Sequence, residues 1–171
     1  MAPIKYIAKF MFLTGVIIIS SCLKKDDTEF TQERENLIIS KYIDSLIEKG
    51  LDVETTESGM FYTIIKEGED NIKVQPGDSI GINYVGSFPE SGIIFDASDY
   101  HYEEDGLWKY TYKSVDLIAG FDEAVGLLSK GSEGMFLIPS GLAYGSKGSW
   151  DGSIPPYSPL VFKIKLVEIY R

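Results

Sequence analysis

Two hydrophobic periods divide the chain. Between Ile38 and Ile47 the apolar positions Ile38, Ile39, Tyr42, Ile43, Leu46 and Ile47 recur at steps of three and four, the spacing of one helical face. Thr31 ahead of them is a capping residue, Glu33 and Glu35 suit a first turn, and Gly50 is a stop, so a helix is predicted over 31–50. A stripe this wide has to be buried, either on the domain that follows or against a second copy of the helix in a homodimer. From Ser58-Gly59 onward the period falls to two. Met60–Lys66 reads as a strand, Gln75-Pro76-Gly77-Asp78 as a turn, and the next strand sets Ile80, Ile82 and Tyr84 on one face.

Past a turn at Pro89–Gly92, the short apolar run Ile93-Ile94-Phe95 ends on Asp96, a carboxylate either exposed at a strand end or set at the rim of an apolar pocket. Trp108, Tyr110 and Tyr112 alternate with Lys109, Thr111 and Lys113 in a two-faced strand. One short helix follows, about Asp122 to Ser129, with Phe121, Ala124, Val125 and Leu128 on its apolar face and Lys130 and Gly131 closing it. Met135–Ile138 is a continuously apolar strand. The last strand places Leu160, Phe162, Ile164 and Leu166 inward and Lys163 and Lys165 outward. Mostly antiparallel strands with a single helix to cover one face make an α+β roll. The loop from Pro139 to Tyr157 is unusual, because Leu142, Tyr144, Trp150, Ile154 and Tyr157 are large for a connection. Such residues either fold back on the core or wall a pocket.

Composition narrows the function. The 171 residues are 44% apolar, ample for one core plus an appendage. Removing the first 21 residues, which hold Lys5 and Lys9 and no acid, takes the formal charge from −10 to −12, and nucleic acid is a poor partner for such a chain. That segment reads as an export signal: two lysines, then the apolar run Phe10–Ile19, then Ser20-Ser21-Cys22. Ile19-Ser20-Ser21-Cys22 resembles a bacterial lipobox, which implies cleavage before Cys22 and lipid on that residue; the other reading is an uncleaved anchor. Residues 22–30 then form the lipid anchor and a polar tether, 31–50 the helix and 51–171 the folded domain. The localisation implied is a cell envelope lipoprotein on the outer membrane, at its periplasmic or surface face. Lys25-Asp26-Asp27 is read as a solvated linker, with a resemblance to a surface-export tag beside it. Glu103-Glu104-Asp105 is read as a solvated acidic loop, since the ligand alternation of a calcium loop is missing.

Other chemistries lack their parts. There is no phosphate-binding glycine motif, and one histidine with one cysteine makes no zinc site. A serine triad would need His101 and a nucleophile elbow that the sequence does not contain. No cofactor and no metal is implied.

What remains is a set of aromatic and apolar motifs: Asn83-Tyr84-Val85-Gly86, Gly92 to Phe95-Asp96, Leu117-Ile118-Ala119-Gly120-Phe121, Ala143-Tyr144-Gly145, Ile154-Pro155-Pro156 and Leu160-Val161-Phe162. In this order, over about Gly59 to Ile169, they resemble the FKBP family of peptidyl-prolyl cis-trans isomerases. The resemblance implies an antiparallel sheet wrapped around the short helix, with substrate proline entering between them. It implies Phe121 as the floor and Tyr84, Phe95, Ile154 and Phe162 as walls, with Leu117 beside them and Tyr110 as a further aromatic wall. The backbone N–H of Ile118 and the hydroxyl of Tyr144 are implied as donors to substrate carbonyls, with Asp96 at the rim, these three forming the catalytic set. Proline-containing polypeptides are the implied partners. The sequence departs from the family at Phe121, where tryptophan is frequent, at Ser153, where an apolar residue is common, and after Asp96. There Asp99 and His101 stand where a basic residue often follows, leaving Asp96 without that cation to orient it. A non-catalytic peptide-binding module with the same cup is the second reading.

Overall fold

The computed structural model describes residues 29–68, 72–102 and 105–171; the segment read as an export signal, Cys22, Lys25-Asp26-Asp27 and Glu103-Glu104 lie outside them. The first helix, α1 (Gln32–Glu48), begins as predicted: Thr31 is extended and its hydroxyl accepts from the Arg34 N–H at 3.2 Å. Gly50, at φ +78°, lets the chain leave. Seven strands follow among the described residues: β1 (Glu54–Thr55), β2 (Phe61–Lys66), β3 (Ser79–Ser87), β4 (Ile94–Ala97), β5 (Trp108–Thr111), β6 (Glu133–Ile138) and β7 (Leu160–Tyr170). Between β5 and β6 lies α2 (Ala119–Leu127).

All strand pairs are antiparallel, in the order β1-β2-β6-β7-β3-β4. The far side of β3 is shared: its first half pairs with β5 and its last residues with β4. The architecture is the α+β fold expected, one sheet with α2 against one face.

Side-chain alternation gives the sheet two apolar faces. Phe136, Ile138, Leu160, Phe162, Ile164 and Leu166 point to the α2 side and are buried with Phe121, Ala124, Val125 and Leu128. Leu137 and Val161 point the other way and meet Ile39, with Tyr42, Ile43, Phe61 and Met135 around them. The α1 stripe packs on its own domain through Ile39, Tyr42 and Ile43. Ile47, 57% exposed, lies off that contact.

Two boundaries differ from the sequence reading. Helix α2 starts at Ala119, because the Ile118 carbonyl already accepts from the Phe121 and Asp122 N–H groups, at 3.0 and 3.3 Å. It ends at Leu127, after which Leu128 turns extended and sinks fully into the core. Lys130 and Gly131 belong instead to the turn into β6: Lys130 pairs with Glu168 at 2.9 Å, and Gly131, at φ +81°, donates to the Leu166 carbonyl.

Candidate active site

Ala119 to Phe121 open α2 directly over β6. The approach is close, since a Cβ on Gly120 would run into Ile138. Phe121 thereby reaches the sheet and sits in a cluster of rings. Its centroid lies 5.1 Å from Phe162 of β7 and 5.5 Å from Tyr84 of β3, both edge to face, and 6.2 Å from Trp108 of β5. Phe95 of β4 meets Phe162 edge to face at 5.6 Å. Gly86 makes room for that pair, because a Cβ there would strike both rings.

Above the rings opens a cleft of about 710 Å³, a size suited to a small ligand or a short peptide segment. Of the residues singled out in the sequence, Tyr84, Phe95, Asp96, Leu117, Ile118, Phe121, Tyr144, Ile154 and Phe162 all line it. Tyr110 does not. The β3–β5 register sets Trp108 opposite Ile82, next to Tyr84, and Tyr110 opposite Ile80, one step deeper in the core. Trp108 forms the wall, and Tyr110 backs it, stacked at 4.2 Å and 18°. The Tyr110 hydroxyl is buried without a hydrogen-bond partner. Alternation put both rings on one face; only the register tells which of them meets the cleft.

The polar groups sit at the rim. Tyr84 donates its hydroxyl to Asp96 Oδ2 at 2.8 Å, and His101 Nε2 lies 2.8 Å from Asp96 Oδ1. The absence of a nearby lysine or arginine therefore does not leave Asp96 loose. The single-turn helix Ser98–Tyr100 brings the chain back so that His101 takes the second carboxylate oxygen. Tyr144, 40% exposed, makes no internal hydrogen bond among the described residues, so its hydroxyl is free for a ligand. Ile118 has extended backbone ahead of α2, and no backbone bond of the described residues uses its N–H. The connection that carries Ile154 is closed on itself: Ser149 Oγ bonds Asp151, Ser149 N–H reaches the Ile154 carbonyl, and Ile154 N–H returns to Ser149 Oγ at 2.8 Å. Asp116, Asp151 and Ser153, not singled out beforehand as site residues, complete the rim with His101. Among the described residues no group of three or more His, Cys, Asp or Glu is placed to hold a metal ion.

Residues 70–167 match the family model described as FKBP-type peptidyl-prolyl cis-trans isomerase. The chain belongs to that family. The peptidyl-prolyl cis-trans isomerase FPR2 of Saccharomyces cerevisiae is 38% identical to this FKBP domain over 98 residues, covering 57% of the chain and 70% of the yeast protein. The FKBP-type 22 kDa peptidyl-prolyl cis-trans isomerase of Escherichia coli is 36% identical over 117 residues, covering 68% of the chain. The chain spans about half the length of that relative (53%) and of a probable FKBP-type isomerase of Haemophilus influenzae (47%). Among solved structures, FkpA from Escherichia coli aligns with a TM-score of 0.66 at 27% identity, over 81% of this chain and 60% of that one. A peptidyl-prolyl cis-trans isomerase from Pseudomonas syringae aligns with a TM-score of 0.65 at 26% identity, over 84% of this chain and 99% of that one.

The tyrosines of this FKBP cleft, and Tyr110 behind its wall, are held neutral. Burial first, then the hydrogen bond to Asp96, keeps the Tyr84 phenol well above the ordinary tyrosine range. Burial also raises Tyr144, with the charges of Asp96 and Asp151 adding to it, and burial raises Tyr110, with Asp122 adding to it. A phenol whose folded-state pKa is raised contributes stability in full below the unfolded value, about 10, and loses it as pH climbs from there through the folded value. The urea midpoint is therefore expected to fall from about pH 10 upward. It should fall less steeply in Tyr84→Phe than in the parent protein, and parallel curves for the two proteins would contradict the assignment.

Proposed function

We propose that the cleft catalyses cis-trans exchange of X-Pro bonds in polypeptides that fold outside the cytoplasm, on a chain anchored in the cell envelope through lipid on Cys22. The observation that supports the activity most is the convergence of Tyr84, Phe95, Trp108, Phe121, Ile154 and Phe162, drawn from distant parts of the sequence, on one cleft whose polar groups stand at its mouth.

The reaction breaks no σ-bond and moves no proton. Rotation about a peptide C–N bond faces about 18–20 kcal/mol because the planar amide is resonance-stabilised. Twisting removes that resonance and with it part of the charge separation between nitrogen and oxygen. An apolar cup solvates the planar, more dipolar form worse than water does and so favours the twisted form by difference. An acceleration of ten-thousandfold needs only about 5–6 kcal/mol.

The residue roles follow from position. Phe121, on the floor, takes the face of the proline ring, with Tyr84, Phe95, Trp108, Ile154 and Phe162 around it and Leu117 at the edge. The Tyr144 hydroxyl and the Ile118 N–H each donate to a carbonyl of the bound segment, fixing the chain on either side of the rotating bond. Asp96, held by Tyr84 and His101, faces the amide as it twists. Location rests on the sequence alone: residues 1–21 as export signal, Cys22 as lipid site, 22–30 as tether, 31–50 as helix and 51–171 as isomerase domain.

NMR exchange on short X-Pro peptides is the test of activity. Substoichiometric protein is expected to speed cis-trans exchange, and Asp96→Ala and Tyr144→Phe are each expected to slow the catalysed rate about ten- to a hundredfold. Peptide binding with unchanged exchange would make the chain a binding module instead. For location, the parent chain expressed in a Gram-negative host is expected to take up labelled fatty acid and to fractionate with membranes. Cys22→Ser is expected to lose both properties, and label retained in that variant would rule out Cys22 as the lipid site.

A further inference from the structure

A buried carboxylate lies outside the lining of the cleft, and the mechanism above does not use it. Glu35, in the first turn of α1, is 1% exposed. Its Oε1 accepts from the Ser140 N–H at 2.5 Å, and its Oε2 accepts from the Ser140 hydroxyl at 2.7 Å and from Gln32 Nε2 at 2.8 Å. Burying a carboxylate costs several kcal/mol unless its lone pairs are satisfied, and an apolar side chain would glue a helix to a sheet at less cost. The position of Ser140 supplies a reason for a carboxylate here. Ser140 opens the short helical turn Ser140–Leu142, in which Ala143 N–H bonds back to the Ser140 carbonyl at 2.9 Å, and the next two residues, Ala143 and Tyr144, line the cleft. Holding both the N–H and the hydroxyl of Ser140 fixes where that turn starts and therefore where the Tyr144 ring stands.

The same end of α1 reaches the other connections that feed the site. Arg34 pairs with Glu90 at 2.7 Å, in the turn between β3 and β4 that precedes Phe95 and Asp96. Phe30, Thr31, Arg34 and Ile38 form a small hollow with Phe88 and Pro89 of that turn and with Pro155 and Tyr157, which follow Ile154. The start of the helix thus abuts the loops behind Asp96, Tyr144 and Ile154.

We propose that Glu35 is a positioning residue of the isomerase site, acting through Ser140 to hold the Tyr144 hydroxyl over the cleft. This rests on the isomerase reading for its activity readout, and on geometry alone for its structural one. Glu35 touches no substrate; its carboxylate makes α1 a brace for the catalytic loop.

The full chain is compared with Glu35→Gln, which replaces one of the two acceptor oxygens with a donor, facing either the Ser140 N–H or the Ser140 hydroxyl and Gln32 Nε2, with Tyr144→Phe, and with the double variant. Glu35→Gln is expected to slow catalysed exchange about tenfold and Tyr144→Phe about ten- to a hundredfold, and the double variant is expected to be no slower than the worse single. Losses that multiply, or an unchanged rate in a folded Glu35→Gln, would overturn the proposal, since general loosening of the fold would leave the effect of Tyr144→Phe undiminished. Amide resonances of residues 141–145 are expected to shift or broaden in Glu35→Gln while those of β2 stay in place; resonances of 141–145 that do not move would equally overturn it. Where Glu35→Gln fails to fold, Ser140→Ala, which removes one of the three donors, takes its place with the same cycle. If the parent chain shows no catalysed exchange, the resonance comparison still decides whether Glu35 sets the loop, and the failure falls on the isomerase reading.

Discussion

The ring of Phe121 is the surface on which the site is assembled. It meets Tyr84 and Phe162 edge to face, at 83° and 82°, and Trp108 obliquely, so three strands from different parts of the chain contact one side chain of α2. Pairs of this geometry contribute about 0.5–1.5 kcal/mol each beyond the area they bury. Their greater effect is on placement. The ring reaches them because Gly120 lets α2 lie against Ile138, and the Phe95–Phe162 wall closes because Gly86 carries no Cβ. Two missing methyl groups therefore shape the cleft as much as the aromatic residues do.

The cleft separates its apolar and polar work. The floor and walls are apolar rings and side chains, whereas the hydrogen-bonding groups stand at the mouth. Asp96 is held on both oxygens, by Tyr84 and by His101, so it meets a ligand in one orientation. Tyr144 and Ile118 are the opposite case, donors whose hydrogens are not used within the described protein. A site in which the acid is already satisfied and the donors are vacant suits the selection of a conformation better than the transfer of a proton.

Much of this was legible from the chain. Periodicity located α1, the strands and the apolar face of α2, and the motifs from Tyr84 to Phe162 named nine of the residues that line the cleft. What escaped depends on relations that no local pattern encodes. Choosing Trp108 over Tyr110 requires the β3–β5 register, because both rings share a face. The His101 contact to Asp96 requires the tight turn at Ser98–Tyr100, in a loop whose composition reads only as acidic and aromatic. Glu35 fits a helix N-terminus so well that nothing marks it as buried; its partner Ser140 is 105 residues away. The two residues of β1 are both exposed and carry no alternation to read. The Lys130-Gly131 pair resembles a helix stop, but the burial of Leu128 ends the helix sooner.

If an apolar enclosure favours the twisted amide, no proton is in flight at the transition state. The solvent deuterium isotope effect on catalysed X-Pro exchange tests this most directly. A rate in D₂O equal to that in H₂O, within error and at matched acidity, is the predicted result. A catalysed rate slowed about twofold or more in D₂O would mean that a proton moves in the limiting step, and would contradict the account.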